Sequence, residues 1–395
     1  VRGPMRILIA GLTTRAIAES ALRAGCEIIT VDSFGDLDQK RLCENVSLRE
    51  RGTTYSAAAI LDAARGLAYD AVVYSGGLEN HPDVVAKLAR GKALLGNGPD
   101  TLRRVRDPAA VFPFLAVRGF ALPRTLWPGW PLPQGGTWLR KPVRGGGGQG
   151  VGFWNGGRLG PGRILQEFVR GTPASAAFVA DGRRSVVMGW TEQLVHPGGF
   201  AYAGNILPLD APPGAFGEVQ AIAEALTGEF GLRGVNGFDF VLRDGRSVLL
   251  EVNPRYCASM ELIERAAGVP VFGLHLAACG GEMLPPGTSG SGCWGKAIVY
   301  ARATVSVGDS RAWLERGVRD VPHPGEVILK GRPICTVLAW GPTRQACHAA
   351  LDAEMDIIWR ECRVRTGGPP ATRRGLASAG GARRRGRRPG RPGPR

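Results

Sequence analysis

Strand-like apolar runs alternating with helical stretches over the first hundred residues restrict the fold more than any other feature. Residues 6–10 run apolar into Gly11, and residues 13–23 follow at helical spacing up to Gly25. Residues 27–31 form a second strand ending at Asp32, and residues 69–74 a third, closed by Ser75-Gly76-Gly77. Residues 84–89 read as a helix and 93–95 as a short strand ending at Gly96. This alternation predicts an α/β unit with a parallel sheet covered on both faces. The first turn, Gly11-Leu12-Thr13-Thr14-Arg15, lacks Gly-x-Gly-x-x-Gly. The unit is therefore Rossmann-like in pattern without a dinucleotide fingerprint, and is expected to be a scaffold that docks on the next domain.

The remaining organisation is set by composition. Residues 101–135 are Pro-rich, with room for two helices at 101–106 and 109–117. From Trp138 to Pro254 the pattern is strand-rich, broken by a helix at 216–230 whose Val219, Ile222, Ala223 and Leu226 repeat at helical spacing. Further strands at 296–300 and 333–340 and a helix at 344–358 mark an α+β region. The expected division is 1–100, 101–290 and 291–365, followed by a disordered Arg/Gly/Pro tail at 366–395. The tail explains the charge. The chain carries +16, and taking away the nine Arg of residues 372–395 leaves +7. That suits a protein handling phosphates and acids better than a nucleic-acid binder, since the body lacks basic–aromatic interleaving. The eight Cys form no Cys-x-x-Cys pair, so free thiols in a reducing cytoplasm are expected rather than zinc or disulfides. No apolar run reaches membrane-spanning length.

Three constellations carry chemistry. In the first, a strand delivers Lys141, and Gly145, Gly146, Gly147 and Gly148 come directly after it. A lysine supplies a compact positive charge, and glycines let backbone N–H groups approach phosphate oxygens. The Lys precedes the glycines, so this is not a Walker loop; a flexible linker is the competing reading. The second is Ile164-Leu165-Gln166-Glu167-Phe168-Val169, a strand edge that can offer backbone groups to a flat heterocycle, or simply be a strand. The third is a predicted hairpin, 237–242 and 248–255, with Asp244-Gly245 as its turn. Alternation places Asp239 on one face of the first strand, and Glu251 and Asn253 on one face of the second. An acid inside Val-Leu-Leu-Glu-Val-Asn-Pro is flanked by residues that bury it, and a buried acid needs a partner. Two carboxylates and an amide oxygen at one point suit Mg²⁺.

Taken in order, Lys141-Pro142 with its glycines, Gln166 to Val169, Asp239, and Glu251-Val252-Asn253-Pro254-Arg255 resemble the ATP-grasp superfamily. Its members include D-alanine–D-alanine ligase, biotin carboxylase and carbamoyl-phosphate synthetase. The resemblance implies a Rossmann-like first domain, an ATP-grasp fold and a small α+β region, with ATP and Mg²⁺ (or Mn²⁺) as cofactors. It implies that Lys141 contacts ATP phosphates and that Gly145 to Gly150 form a lid. It implies that the Glu167 carbonyl and the Val169 N–H, on either side of Phe168, read the adenine edge. Asp239, Glu251 and Asn253 would hold the metal, and Arg255 would face the transferred phosphate, with Lys141 as the other catalytic group. Two departures stand out. The acid expected to bind ribose is absent, leaving Ser175 as a substitute. A second phosphate-binding Lys is replaced by one of Arg103, Arg104 or Arg106. The implied reaction is ADP-forming ligation of a small-molecule carboxylate to an amine, in a cytoplasmic enzyme for which a homodimer is left open. Two alternatives remain. One is a bicarbonate-activating carboxylase, which Lys330-Gly331-Arg332-Pro333 leading into a strand keeps open. The other is nucleic-acid binding through the basic tail. A weaker resemblance extends to ligases of pterin- or furan-type one-carbon cofactor pathways.

Overall fold

The computed structural model describes residues 5–287 and 290–365; the expected tail falls outside these residues. The chain begins β1 (Arg6–Ala10), α1 (Arg15–Arg23), β2 (Glu27–Asp32), α2 (Leu37–Leu42), β3 (Glu44–Ser47), α3 (Ala57–Ala63), β4 (Ala71–Tyr74), α4 (Pro82–Leu88) and β5 (Ala93–Leu94). These strands make a five-stranded sheet of order β3-β2-β1-β4-β5, and every pairing is parallel. Alternate β1 side chains enter different cores: Ile7 and Ile9 pack with Ile17, Met260 and Phe272, whereas Leu8 and Ala10 pack with Ile60, Val85 and Leu102. Burial on both faces is why the run is continuously apolar. The chain leaves β1 towards β2 and β4 towards β5, so the two neighbouring strands form a switch point, where open α/β sheets present their carboxyl-end loops to ligands.

Two short helices, α5 (Pro99–Val105) and α6 (Pro108–Ala116), lead into a four-stranded sheet of β6 (Thr125–Leu126), β7 (Trp138–Pro142), β8 (Gly152–Phe153) and β9 (Arg163–Glu167). Next come β10 (Thr172–Asp181), β11 (Ser185–Val195), β12 (Tyr202–Leu207), α7 (Ala215–Phe230), β13 (Arg233–Arg243), β14 (Arg246–Asn253), α8 (Met260–Ala267) and α9 (Val271–Cys279). The final part is β15 (Cys293–Tyr300), β16 (Val305–Val307), α10 (Arg311–Glu315), β17 (Val327–Ile328), β18 (Pro333–Gly341), α11 (Arg344–Glu361) and β19 (Cys362–Val364). α7 buries Val219, Ile222, Ala223 and Leu226 as its spacing predicts, against Phe178, Phe238 and Phe240 of the sheet. Gly231 ends it in the left-handed conformation at φ 65°.

The boundary expected at 290/291 falls between strands that share one sheet. β15 and β18 complete a seven-stranded sheet of order β14-β13-β10-β11-β12-β15-β18, so the last region does not stand alone. An extended strand edge at β12 leaves unpaired backbone groups, and β15 covers it with Asn205 opposite Lys296. Buried charges join the same parts. Arg15 of α1 donates to Glu261 of α8 and to Asp320, and Lys296 of β15 donates to Glu261 at 2.7 Å. Burial would raise the Glu261 carboxyl, but Arg15 and Lys296 hold it well below its ordinary value. Among the described residues no single helix is long and apolar enough to cross a membrane.

Candidate active site

The hairpin β13–β14 turns through Asp244 (φ 52°) and Gly245 (φ 77°), the two positive-φ positions of a type I′ turn. This turn fixes the register that sets Asp239 opposite Glu251 and Gly237 opposite Asn253. A bulge falls between Asp239 and Phe240, so Leu249 rather than Leu250 faces Phe240. The extra residue lets consecutive side chains, Leu250 and Glu251, both line a cleft. Gln193 of β11 donates to Asp239 Oδ1 at 2.8 Å, and Asn253 Nδ2 donates to Asp239 Oδ2 at 3.1 Å. Burial and the neighbouring Glu251 push the Asp239 carboxyl up to about 7. A carboxylate pair that resists double ionisation is the donor set a divalent cation relieves. Among the described residues no group of three or more His, Cys, Asp or Glu is arranged to hold a metal ion by itself. Asp239, Glu251 and the Asn253 side chain are a hard-oxygen donor set of the kind that suits Mg²⁺.

The cleft is narrow and lies between α5–α6, β7, β9 and β14. Val111, Phe112, Ile164 and Leu250 supply apolar walls, and Lys141, Gln166, Arg106 and Glu251 supply polar groups. This mixture suits a flat heterocycle joined to a charged chain. Lys141 Nζ donates to Gln166 Oε1 at 2.9 Å. Burial lowers the Lys141 ammonium while Glu251 and Asp239 raise it, with burial prevailing. The glycine run after β7 docks on the β11–β12 hairpin. Tyr202 N donates to the Gly147 carbonyl at 3.1 Å, and Gly148 (φ 72°) lies so close to Phe200 that an added Cβ would sit 1.6 Å from its carbonyl oxygen. Phe153, Phe168 and Phe200 close this contact as an edge-to-face cluster with centroids 5.3–6.3 Å apart. A linker merely spanning a gap would not need such a contact.

The structure sorts the remaining expected residues. Glu167 carries a backbone bond to Arg124, and Phe168 and Val169 continue from β9 beside the cleft without lining it; Gln166 lines it instead. Ser175 is not placed for ribose: it is 5 % exposed, in the middle of β10 opposite Asp239, and its hydroxyl is bonded to Thr191 at 2.9 Å. Arg103 is exposed and paired with Asp83 and Asp100, and Arg104 with Glu229. Only Arg106 of the three is buried and faces the cleft. It donates to the Val252 carbonyl at 2.6 Å and to the Gly145 carbonyl at 2.8 Å. Arg255 Nη2 reaches Asn253 Oδ1 at 3.3 Å, and its Nε donates to Glu79 at 2.7 Å. Glu79 and its neighbour Asn80 lie in the turn after β4, so the first domain contacts Arg255 and Gly145 directly. Sequence reading missed both. Their position at the switch point was the only available signal.

Comparison with known proteins bears on the fold. Residues 106–259 match the family model of the ATP-grasp domain. An uncharacterised protein of Methanocaldococcus jannaschii, MJ0776, is 24 % identical over 361 residues, covering 86 % of this chain and 89 % of the relative. The carbamoyl phosphate synthase large chain of Deinococcus radiodurans is 31 % identical over 116 residues, which span 28 % of this chain but 11 % of that one. Among solved structures, carboxyaminoimidazole ribonucleotide synthase of Aspergillus clavatus superposes with a TM-score of 0.69 at 13 % identity, covering 91 % of this chain and 99 % of that one. The L-amino acid ligase of Bacillus licheniformis gives 0.66 at 16 % identity, covering 93 % and 100 %. Biotin carboxylase of Campylobacter jejuni gives 0.67 at 15 %, covering 91 % and 92 %. Residues 106–259 are an ATP-grasp domain, and the chain around them has the fold of ATP-grasp enzymes.

Proposed function

We propose that the chain is an ATP-dependent ligase that activates a substrate carboxylate as an acyl phosphate and passes it to an amine, releasing ADP and phosphate. The observation that carries this reading is Glu251, which lines the cleft with Lys141, paired across the hairpin with Asp239, which Asn253 in turn joins to Arg255. Asp239, Glu251 and Asn253 would hold Mg²⁺, which supplies charge neutralisation at the β- and γ-phosphates. Lys141 adds a positive charge at the cleft and is oriented by Gln166. Arg255, fixed between Glu79 and Asn253, presents its guanidinium where charge develops on the transferred group. The docked glycine segment excludes water, which protects an acyl phosphate from hydrolysis. The similarity to an L-amino acid ligase and to carbamoyl phosphate synthase supports carbon–nitrogen ligation.

The test is ADP release from Mg·ATP across a panel of carboxylic acids and amines, bicarbonate included. Turnover that requires both an acid and an amine supports the reading, and Glu251→Gln should lower kcat by at least ~10²-fold, the scale of losing a transition-state electrostatic contact. Release with bicarbonate alone would replace the ligase by a carboxylase. No nucleotide binding at all would end the ATP reading.

A further inference from the structure

The turn after β4 reaches the site with two consecutive residues that perform different tasks. It is held rigidly. Leu78 is fully buried, Tyr74 OH donates to the Pro254 carbonyl at 2.9 Å, and the Leu12 N–H donates to the Gly76 carbonyl at 2.8 Å. At Gly77 (φ 97°) an added Cβ would lie 2.0 Å from Tyr55 OH, so the backbone there has no other course. Glu79 is 1 % exposed and accepts from Arg255 Nε. Burial would raise its carboxyl, but Arg255 and Arg106 hold it below its ordinary value, so it faces Arg255 as a carboxylate. Asn80 points the other way. Its Nδ2 donates to the Gly145 carbonyl at 3.3 Å, and its Oδ1 accepts from Arg106 Nε at 3.2 Å. Arg106 in turn donates to the same Gly145 carbonyl and to the Val252 carbonyl between Glu251 and Asn253.

We infer that Glu79 and Asn80 are positioning residues for the ligase reaction, an inference that rests on the function proposed above. Glu79 aims Arg255 at the transferred group. Asn80, with Arg106, latches the first glycine of the lid. Both side chains spring from one rigid turn, so the orientation of Arg255 and the seat of the lid are set together by the first domain. Neither residue needs to touch a reacting atom.

The latch is tested first, because its readouts need no acid or amine. In full-length Asn80→Ala, protease nicking between residues 144 and 150 without nucleotide should rise about fivefold, the scale of one net hydrogen bond lost. Mg·ADP affinity measured by calorimetry should fall by about the same factor. Equal nicking and affinity in variant and wild type overturn the latch. A wild type that binds no Mg·ADP would instead sink the function on which the inference rests. Glu79→Gln should leave nicking and Mg·ADP affinity within about twofold, while lowering kcat roughly tenfold or more with the acid and amine found by the ADP-release panel. In an Arg255→Ala background Glu79→Gln should cost nothing further. Additive losses, or an unfolded Glu79→Gln chain, would show a structural role and overturn the positioning role.

Discussion

Substituting the lid glycines one at a time distinguishes a docked lid from a tether, and the structure grades the three outcomes. At Gly148, φ is 72° and a Cβ would sit 1.6 Å from the Phe200 oxygen and 2.5 Å from its carbonyl carbon. No rotamer relieves a clash at Cβ, so in Gly148→Ala the segment has to lift from the hairpin and release the Tyr202 to Gly147 bond. The left-handed conformation costs an L-residue about 1–2 kcal/mol, and the lost hydrogen bond about 1 kcal/mol. Together the docked state should be disfavoured by about 2–3 kcal/mol, roughly 30- to 150-fold at 1.4 kcal/mol per tenfold. Gly147 has φ 59° but open space around its Cβ position, so Ala there meets strain alone, about 1 kcal/mol or fivefold. Gly146 has neither a positive φ nor a neighbour within 4 Å, and Gly146→Ala should be silent. The assay is Mg·ADP affinity together with protease nicking of residues 144–150. Melting temperature serves as the control, and should hardly move because no core residue is involved. If Gly148→Ala behaved like Gly146→Ala, the docking argument would be refuted.

Two further predictions concern buried charge. Asp239 sits at about 7 in the metal-free protein, so it is protonated below that pH and charged above it. Mg²⁺ needs the charged form, and Mg·ATP affinity should fall towards tenfold per unit as pH drops below 7, with proton release detectable by calorimetry in buffers of different ionisation enthalpy. Because this folded value is raised, its stabilising contribution is lost as pH rises through about 7. Asp239→Asn should therefore raise the metal-free melting temperature at pH 8 more than at pH 5, while abolishing turnover; equal shifts at both pH values would argue against the pair. Arg15→Leu would strip the buried Glu261 and the partly exposed Asp320 of their shared partner, and should cost about 3–5 kcal/mol by chemical denaturation. A loss under about 1 kcal/mol, typical of a surface pair, would show that Lys296 suffices.

The hairpin and the glycine segment were legible because each breaks a local rule in one window: an acid within an apolar strand, and glycines directly after a strand that carries a lysine. The elements between residues 33 and 68 were not. β3 is Glu-Asn-Val-Ser, half-buried and without an apolar run, and only its pairing with β2 makes it a strand. Arg106 could not be separated from Arg103 and Arg104, because only the place where the helix ends, at Val105, turns Arg106 inward while the two Arg inside the helix face out. Ser175 was misassigned because its place opposite Asp239 is a cross-sheet register that nothing near residue 175 encodes. Glu79 was invisible for a similar reason. Ser-Gly-Gly-Leu-Glu-Asn reads as a turn, and its partner Arg255 is 176 positions away.

The welds around Pro254 constrain inheritance and engineering alike. The Pro254 carbonyl is held by Tyr74 and by Asn97, which also binds Asn236, so the end of the Asp239–Glu251 hairpin is stapled to the first domain. Arg15 and Lys296 add a second staple through Glu261. A gene fragment covering residues 101–290 would encode every expected nucleotide ligand, yet strip partners from Pro254, Asn236, Glu261 and the β12 edge. Such a fragment should misfold or aggregate rather than yield a minimal nucleotide-binding module. Recombination that replaced the first hundred residues would succeed only if the incoming segment brought its own equivalents of Tyr74, Glu79, Asn80 and Asn97. Substrate preference in this architecture is then expected to diversify by point substitution within an intact chain, not by shuffling of parts.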